Sequence, residues 1–152
     1  MDLHYIAMKH HTRFANKADA IRECVQRVDP NEKSNMLGYT ALMICCLNKS
    51  EPLSTVRVLL EAGADPNLGD APPLHLACRN NDIKKIKLLI HYGANVDLQD
   101  ARGLTALHHS VGYANVVKLL LSEGADPLLL SKEGESPIDI ATYTKDLLKR
   151  YA

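Results

Sequence analysis

One short string comes back twice along this chain. "EAGADPN" at 61–67 returns as "HYGANVD" at 91–97 and "SEGADPL" at 122–128, placing Gly63, Gly93 and Gly124 at intervals of 30 and 31 residues. A recurrence of this length constrains the fold more than composition does, because it marks one supersecondary unit being stacked. Ahead of each glycine lies an amphipathic run: "STVRVLL", "IKKIKLLI", "ANVVKLLL". Counted back from the glycine, apolar residues fall at minus 3, minus 4 and minus 7: Leu60, Leu59 and Val56; Ile90, Leu89 and Ile86; Leu121, Leu120 and Val117. That spacing predicts a helix with one buried stripe. The glycine ends it, since the closing turn wants a left-handed residue.

A shorter apolar segment follows each polar turn: "GYTALMICC" (38–46), "APPLHLAC" (71–78), "GLTALHHSV" (103–111) and "GESPIDIAT" (134–142). Thr40, Thr105 and Ser136 stand where an N-cap hydroxyl is wanted. Pro73 and Pro137 sit in the first turn, where a missing N–H costs little. The unit reads turn, short helix, loop, longer helix, glycine stop. Its period is 32, 33 and 31 from Thr40 through Pro72 and Thr105 to Ser136. A lone helix pair cannot bury its apolar face, whereas stacked pairs bury a continuous core. The expected fold is all-α, a short α-solenoid.

The pattern resembles the ankyrin repeat, with its signature D-x-x-G-x-T-P-L-H-x-A…G-A-D-x-N. The matches are Gly38-Tyr39-Thr40-Ala41-Leu42, Pro72-Pro73-Leu74-His75-Leu76-Ala77, Asp100 through Gly103-Leu104-Thr105-Ala106-Leu107-His108, and Gly134-Glu135-Ser136-Pro137-Ile138. They run in register from about residue 35 to 142. The resemblance implies helix-turn-helix pairs joined by β-turn or hairpin loops, in a single domain over 1–152. Residues 35–67, 68–99 and 100–130 are expected to be internal repeats. Residues 1–34 read as a degenerate N-terminal capping repeat, with "LHYIAMKH" (3–10) as its short helix and "ADAIRECVQRV" (18–28) as its long one. Its glycine position falls on Arg27 or Val28. Residues 131–152 read as a C-terminal cap or a truncated repeat, because "TKDLLKRYA" stops before a terminal glycine.

Composition removes several function classes. Eighteen basic and eighteen acidic residues cancel, so nothing draws the chain broadly to nucleic acid or an anionic membrane. Aromatics make up 5% with no Trp, too few for a base-stacking platform. No apolar run approaches the roughly 18 residues of a spanning helix. The N-terminus shows no signal-peptide pattern. Cys24, Cys45, Cys46 and Cys78 form no CxxC pair and are expected to be reduced. The cytoplasm is the expected compartment, with the nucleus or a host-cell cytosol as alternatives.

His75 and Cys78, three apart in "PPLHLAC", look at first like half of a metal or thiol site. A metal needs three or four converging ligands, and a nucleophile needs a base and an orienting group. Neither set stands out, so no catalytic, cofactor or metal residue is assigned. The family resemblance implies that His75 and His108 bond backbone and a Thr hydroxyl, tying adjacent repeats. Pro72 replaces that Thr, so His75 is expected to lack its hydroxyl partner. Cys45, Cys46 and Cys78 read as small core residues. His109 reads as filling a position between repeats or touching a partner. Lys9, His10, His11 and Arg13 read as a solvated cap or a small basic contact patch. Lys84, Lys85 and Lys87 are expected on a solvated convex face. Asp65, Asn67, Asn95 and Asp126 are read as turn chemistry.

The resemblance implies a non-enzymatic protein-interaction module, an adaptor or inhibitor, monomeric, binding one or more partner proteins through a concave face. The alternative is an ankyrin segment of a larger adaptor, or of an effector from an intracellular bacterium or virus. The partner-binding candidates are Met36, Leu37, Tyr39, Asp70, Arg102, Leu104 and Glu135 on the turn tips, and Leu47, Arg79, Asn80, Tyr113 and Tyr143 at the short-helix ends. Tyr and Arg most often become interface hot spots. Met36, Leu37 and Leu104 are apolar on turn tips, covered either by a neighbouring turn or by a partner. The turn before Pro72 has lost three residues, since Asp65 to Pro72 is seven against ten in the next two units. A blunt tip is expected there, with a notch near Asp70 flanked by Tyr39 and Arg102. The loop "LNKSEPLS" is lengthened.

Overall fold

The computed structural model describes Leu3, residues 16–34 and residues 38–152. The first short helix expected at 3–10, the basic patch around His10 and His11, and the candidates Met36 and Leu37 therefore lie outside the described residues, Leu3 excepted. Nine helices run through the described chain: α1 (Lys17–Cys24), α2 (Ala41–Leu47), α3 (Leu53–Glu61), α4 (Pro73–Arg79), α5 (Ile83–His91), α6 (Ala106–Ser110), α7 (Ala114–Ser122), α8 (Pro137–Ile140) and α9 (Lys145–Lys149). The short helices α2, α4, α6 and α8 pack side by side as one row. The second helices lie behind them, each packed on its own partner: α3 on α2, α5 on α4, α7 on α6, α9 on α8.

The caps form where the residue types predict. Thr40 Oγ1 accepts the Met43 N–H at 3.2 Å, and Ser136 Oγ accepts the Asp139 N–H at 3.3 Å while donating to Asp139 Oδ2 at 2.6 Å. Pro72 caps α4 with no side-chain bond, and Pro73 opens that helix. Gly63, Gly93 and Gly124 close the long helices at φ of 92°, 90° and 88°. Every stripe residue counted back from those glycines is buried except Ile90, which is half-buried against the same core.

The polar turns after the glycines do more than turn. Asn31 Nδ2 donates to the Gly63 carbonyl at 3.0 Å while its Oδ1 accepts the Asp65 N–H at 2.7 Å. Asn67 repeats both bonds one unit on, to Gly93 at 3.0 Å and Asn95 at 2.7 Å. Asp97 accepts the Asp126 N–H at 2.8 Å, but a carboxylate has no amide donor for the Gly124 carbonyl. These side chains form a ladder that fixes one repeat against the next. The ladder spacing can be followed back into the segment before α2. Asn67 stands four residues after Gly63 and Asn31 four after Arg27, so by spacing Arg27 and not Val28 matches Gly63.

Two polar placements depart from the sequence expectation. Lys85 does not join Lys84 and Lys87 on the solvated face; its side chain is 2% exposed. Its Nζ donates to the Asn48 carbonyl at 2.8 Å and lies 3.3 Å from Asp82 Oδ2. Residue 85 sits one turn before Leu89, on the buried face of α5, where the C-terminal carbonyls of α2 need donors. The lengthened loop before α3 delivers Glu51 inward, where Oε2 accepts from Lys17 Nζ at 2.6 Å with both side chains buried. The longer loop is therefore tied by an ion pair to the first residue of α1.

Candidate protein-binding face

Each short helix begins at a turn tip, and the tips are joined. The Ala101 N–H donates to the Asp70 carbonyl and the Lys132 N–H to the Arg102 carbonyl, both at 3.1 Å. Asp100 shapes its own tip by accepting the N–H groups of Arg102 and Leu104 at 2.8 and 2.9 Å. Ser131 Oγ does the same more weakly for Glu133 and Glu135, at 3.2 and 3.4 Å. Neighbouring tips approach so closely that a Cβ on Gly103, at φ 75°, would stand 2.7 Å from the Lys132 nitrogen.

The shortened turn at 68–71 is tucked down. Gly69 has φ 109°, and a Cβ there would meet Met43 Sδ at 2.6 Å. Met43 occupies the place that His75 and His108 hold in their units, and it cannot donate to a carbonyl of the following turn. The glycine and the missing residues let that turn settle over the Met43 thioether instead.

The histidines sit between tips and short helices. His108 Nδ1 takes the Thr105 N–H at 3.0 Å and lies 2.8 Å from Thr105 Oγ1, so Nε2 carries the proton and donates to the Glu135 carbonyl at 3.0 Å. His75 Nε2 donates to the Leu104 carbonyl at 3.0 Å. Its buried Nδ1 has no hydrogen-bond partner among the described residues, as the Pro72 substitution implies. Burial, with His109 beside it, lowers the His75 pKa to about 4 despite the Leu104 bond. Burial also lowers the His108 pKa against the bond to Glu135. His109 fills a position between repeats: Nε2 lies 2.8 Å from Asp100 Oδ2, and its ring meets His75 edge-on at 5.4 Å. Burial pushes Asp100 up, but hydrogen bonds from His109, Leu104 and Arg102 outweigh it and hold the carboxyl below its ordinary value. Cys45, Cys46 and Cys78 are wholly buried. Burial pushes Cys46 and Cys78 up to about 12 and Cys45 well up, so these thiols stay protonated.

The other candidates divide by what their polar groups already do. Tyr39 is half-buried against the core. Leu104 is half-buried, and both its backbone groups are engaged. The Asn80 amide is spent on the Cys46 and Leu47 carbonyls, at 3.0 and 2.9 Å. Asp70 and Glu135 are exposed, though their carbonyls tie neighbouring units. Arg102 is exposed with Glu133 3.9 Å away. Leu47, Arg79, Tyr113 and Tyr143 are exposed at the short-helix ends.

A row of short helices backed by longer ones, with linked turn tips and inter-repeat side-chain ladders, defines a helical-repeat scaffold. Comparison with known sequences gives the family. The description "Ankyrin repeats (3 copies)" matches residues 54–131 and 74–149, and "Ankyrin repeat" matches 37–68. The chain belongs to the ankyrin repeat family, whose members are generally protein-interaction modules. It is 33% identical to the bovine (Bos taurus) mitochondrial disaggregase over 143 residues, 89% of this chain and 21% of that protein. A putative ankyrin repeat protein of Acanthamoeba polyphaga mimivirus is 32% identical over 130 residues, 67% of this chain and 23% of its own length. The mouse (Mus musculus) B-cell lymphoma 3 protein homolog is 33% identical over 117 residues, 72% of this chain and 25% of its own. The chain thus spans about a fifth to a quarter of these curated relatives. No described helix is long and apolar enough to cross a membrane.

Proposed function

We propose that this chain is a non-enzymatic recognition module that holds a partner protein on the face made by its turn tips and short-helix ends, as an adaptor or inhibitor. The observation that carries the reading is the division of labour among side chains. Polar groups facing neighbouring repeats are paired in ladders, whereas Arg79, Arg102, Tyr113 and Tyr143 extend from the tips and helix ends into solvent. Such Arg and Tyr side chains are the usual anchors of an interface. The reduced, buried Cys45, Cys46 and Cys78 support a cytoplasmic setting. Because the relatives are several times longer, the same face can serve as the recognition part of a larger adaptor.

The test is capture of partner from cell lysate by wild type and by the Arg79→Glu/Arg102→Glu variant. Capture is expected to be lost while the circular dichroism spectrum stays unchanged. Undiminished capture by the folded variant would count against this face.

A further inference from the structure

Exposed large apolar side chains are few among the described residues: Leu47, Tyr113, Leu128, Leu130, Tyr143 and Tyr151. Three of these fall on one feature, the C-terminal rim of the short-helix row. Register explains the alignment. Seven residues after Thr40, Pro72, Thr105 and Ser136 stand Leu47, Arg79, Gly112 and Tyr143, which are equivalent positions of successive units. The next position along is Asn48, Asn80, Tyr113 and Thr144. Asn80 and Thr144 use it inward, bonding the preceding short helix at Cys46, Leu47 and Val111. Tyr113 makes no such bond and leaves 38% of its surface to solvent, beside Leu47 at 47% and Tyr143 at 93%.

The charges on this rim are unbalanced although the whole chain is neutral. Arg79 stands in the line, one unit after Leu47, with no hydrogen-bond or ion-pair partner among the described residues. Lys49 is also exposed and without one. The acidic residues nearest Lys49 and Arg79 along the chain are used elsewhere: Glu51 is buried against Lys17, and Asp82 caps α5 and holds Lys85. An exposed guanidinium without a partner, set between Leu47 and Tyr113 in the order of the units, can accept a carboxylate in a charge-assisted bidentate pair.

We propose that the short-helix rim binds an acidic, apolar peptide segment of a partner protein. Its carboxylate pairs with Arg79, Lys49 adds attraction at longer range, and its apolar side chains lie on Leu47 to one side and on Tyr113 and Tyr143 to the other. The proposal rests on the tip-and-rim face being the one that binds partners, and it adds the chemistry of the occupant.

The test uses a random linear peptide library displayed on phage and panned against the full chain. Selected peptides are expected to carry Asp or Glu flanked by apolar residues. Their affinity, measured by calorimetry, should fall about tenfold or more with Arg79→Glu and by a smaller factor with Leu47→Ala or Tyr143→Ala. It should weaken with added salt and ignore Lys87→Glu on the opposite helix row. Panning Arg79→Glu itself should select basic peptides instead. Neutral or basic peptides that bind wild type, ignore Arg79→Glu and are lost with Arg102→Glu would overturn this inference yet leave the tip-and-rim face standing. Peptides lost only with Lys87→Glu would overturn both. Failure to enrich any peptide overturns the proposal, as does preferential binding of an oligonucleotide probe over the acidic peptides. Circular dichroism of each variant separates lost binding from lost folding.

Discussion

The unit that opens at Thr105 and the unit that opens at Pro72 carry the same histidine at the same helical position, and the two imidazoles are held differently. His108 is bonded through both ring nitrogens, back to Thr105 and forward to Glu135. His75 keeps the forward bond to Leu104 and lacks the backward one. The unit before them carries Met43, whose Sδ takes the Thr40 N–H at 3.5 Å as the backward bond but has no proton for a forward one; the blunt turn at Gly69 closes over it. The forward bond ties one repeat to the next, and the backward bond only braces the helix start. Where the brace is missing, a proline supplies the cap geometry without a hydroxyl. The irregular half also holds the buried Lys17–Glu51 pair, whereas the regular half sets His109 2.8 Å from Asp100 with both side chains mostly buried.

The largest break in this comparison is expected at the Lys17–Glu51 pair. Lys17→Met leaves a buried carboxylate uncompensated and should cost about 3–5 kcal/mol by denaturant unfolding. Adding Glu51→Leu should recover most of it, because a packed apolar pair replaces the buried charges. A double variant as unstable as the single one would show that the loss comes from the broken bridge itself and not from the stranded carboxylate.

His108→Ala should cost about 3 kcal/mol, since it empties a buried site and strands the Thr105 N–H and the Glu135 carbonyl. His75→Ala should cost about 1 kcal/mol less, having one bond fewer to lose. Equal losses in paired unfolding curves would mean that the Thr105 brace adds nothing.

Pro72→Thr sharpens the contrast by offering His75 a hydroxyl. A gain of up to about 1 kcal/mol is expected from satisfying the buried Nδ1, reduced by the chain entropy that proline removes from the unfolded state. The same site predicts a pH dependence. The folded-state pKa of His75 is lowered from 6.5 to about 4, so the unfolded chain binds the proton more readily. Stability is then lost as pH falls from about 6.5 towards about 4 and is fully present above that window. His75→Gln should flatten the loss in unfolding curves recorded across this range; an unchanged slope would assign it to other groups.

The smallest expected effect lies in the turn ladder. Asp97→Asn supplies the amide that Asn31 and Asn67 use, now aimed at the Gly124 carbonyl, and should add about 0.5–1 kcal/mol. A melting temperature unchanged or lowered would show that the ladder bonds are worth no more than bonds to water.

Much of this is carried by local pattern. The 30- and 31-residue glycine interval, the minus 3, minus 4, minus 7 stripe and the Thr40, Thr105 and Ser136 caps place the helices where they form, because helix propensity, capping and left-handed closure act within a few residues. Pro72 against Thr105 likewise tells which histidine loses its hydroxyl. The candidate face is only partly visible at that level: residue type and register nominate Asn80 and Tyr113 alike, yet the fold spends the Asn80 amide on α2 and leaves Tyr113 in solvent.

What the tertiary structure alone decided are the contacts between units. Lys85 has the look of a surface lysine within "IKKIK", and its acceptor, the Asn48 carbonyl, lies 37 residues away. Lys17 and Glu51 are 34 apart, in α1 and the lengthened loop before α3. Asn67 reads as an ordinary turn residue, and Asn31 and Asp97 do not stand out at all, until the next turn is stacked within reach. A period says that units stack; only their packed positions bring a donor on one to the unsatisfied carbonyl of another, because hydrogen bonds and buried charges act over a few ångströms and carry no signature along the chain.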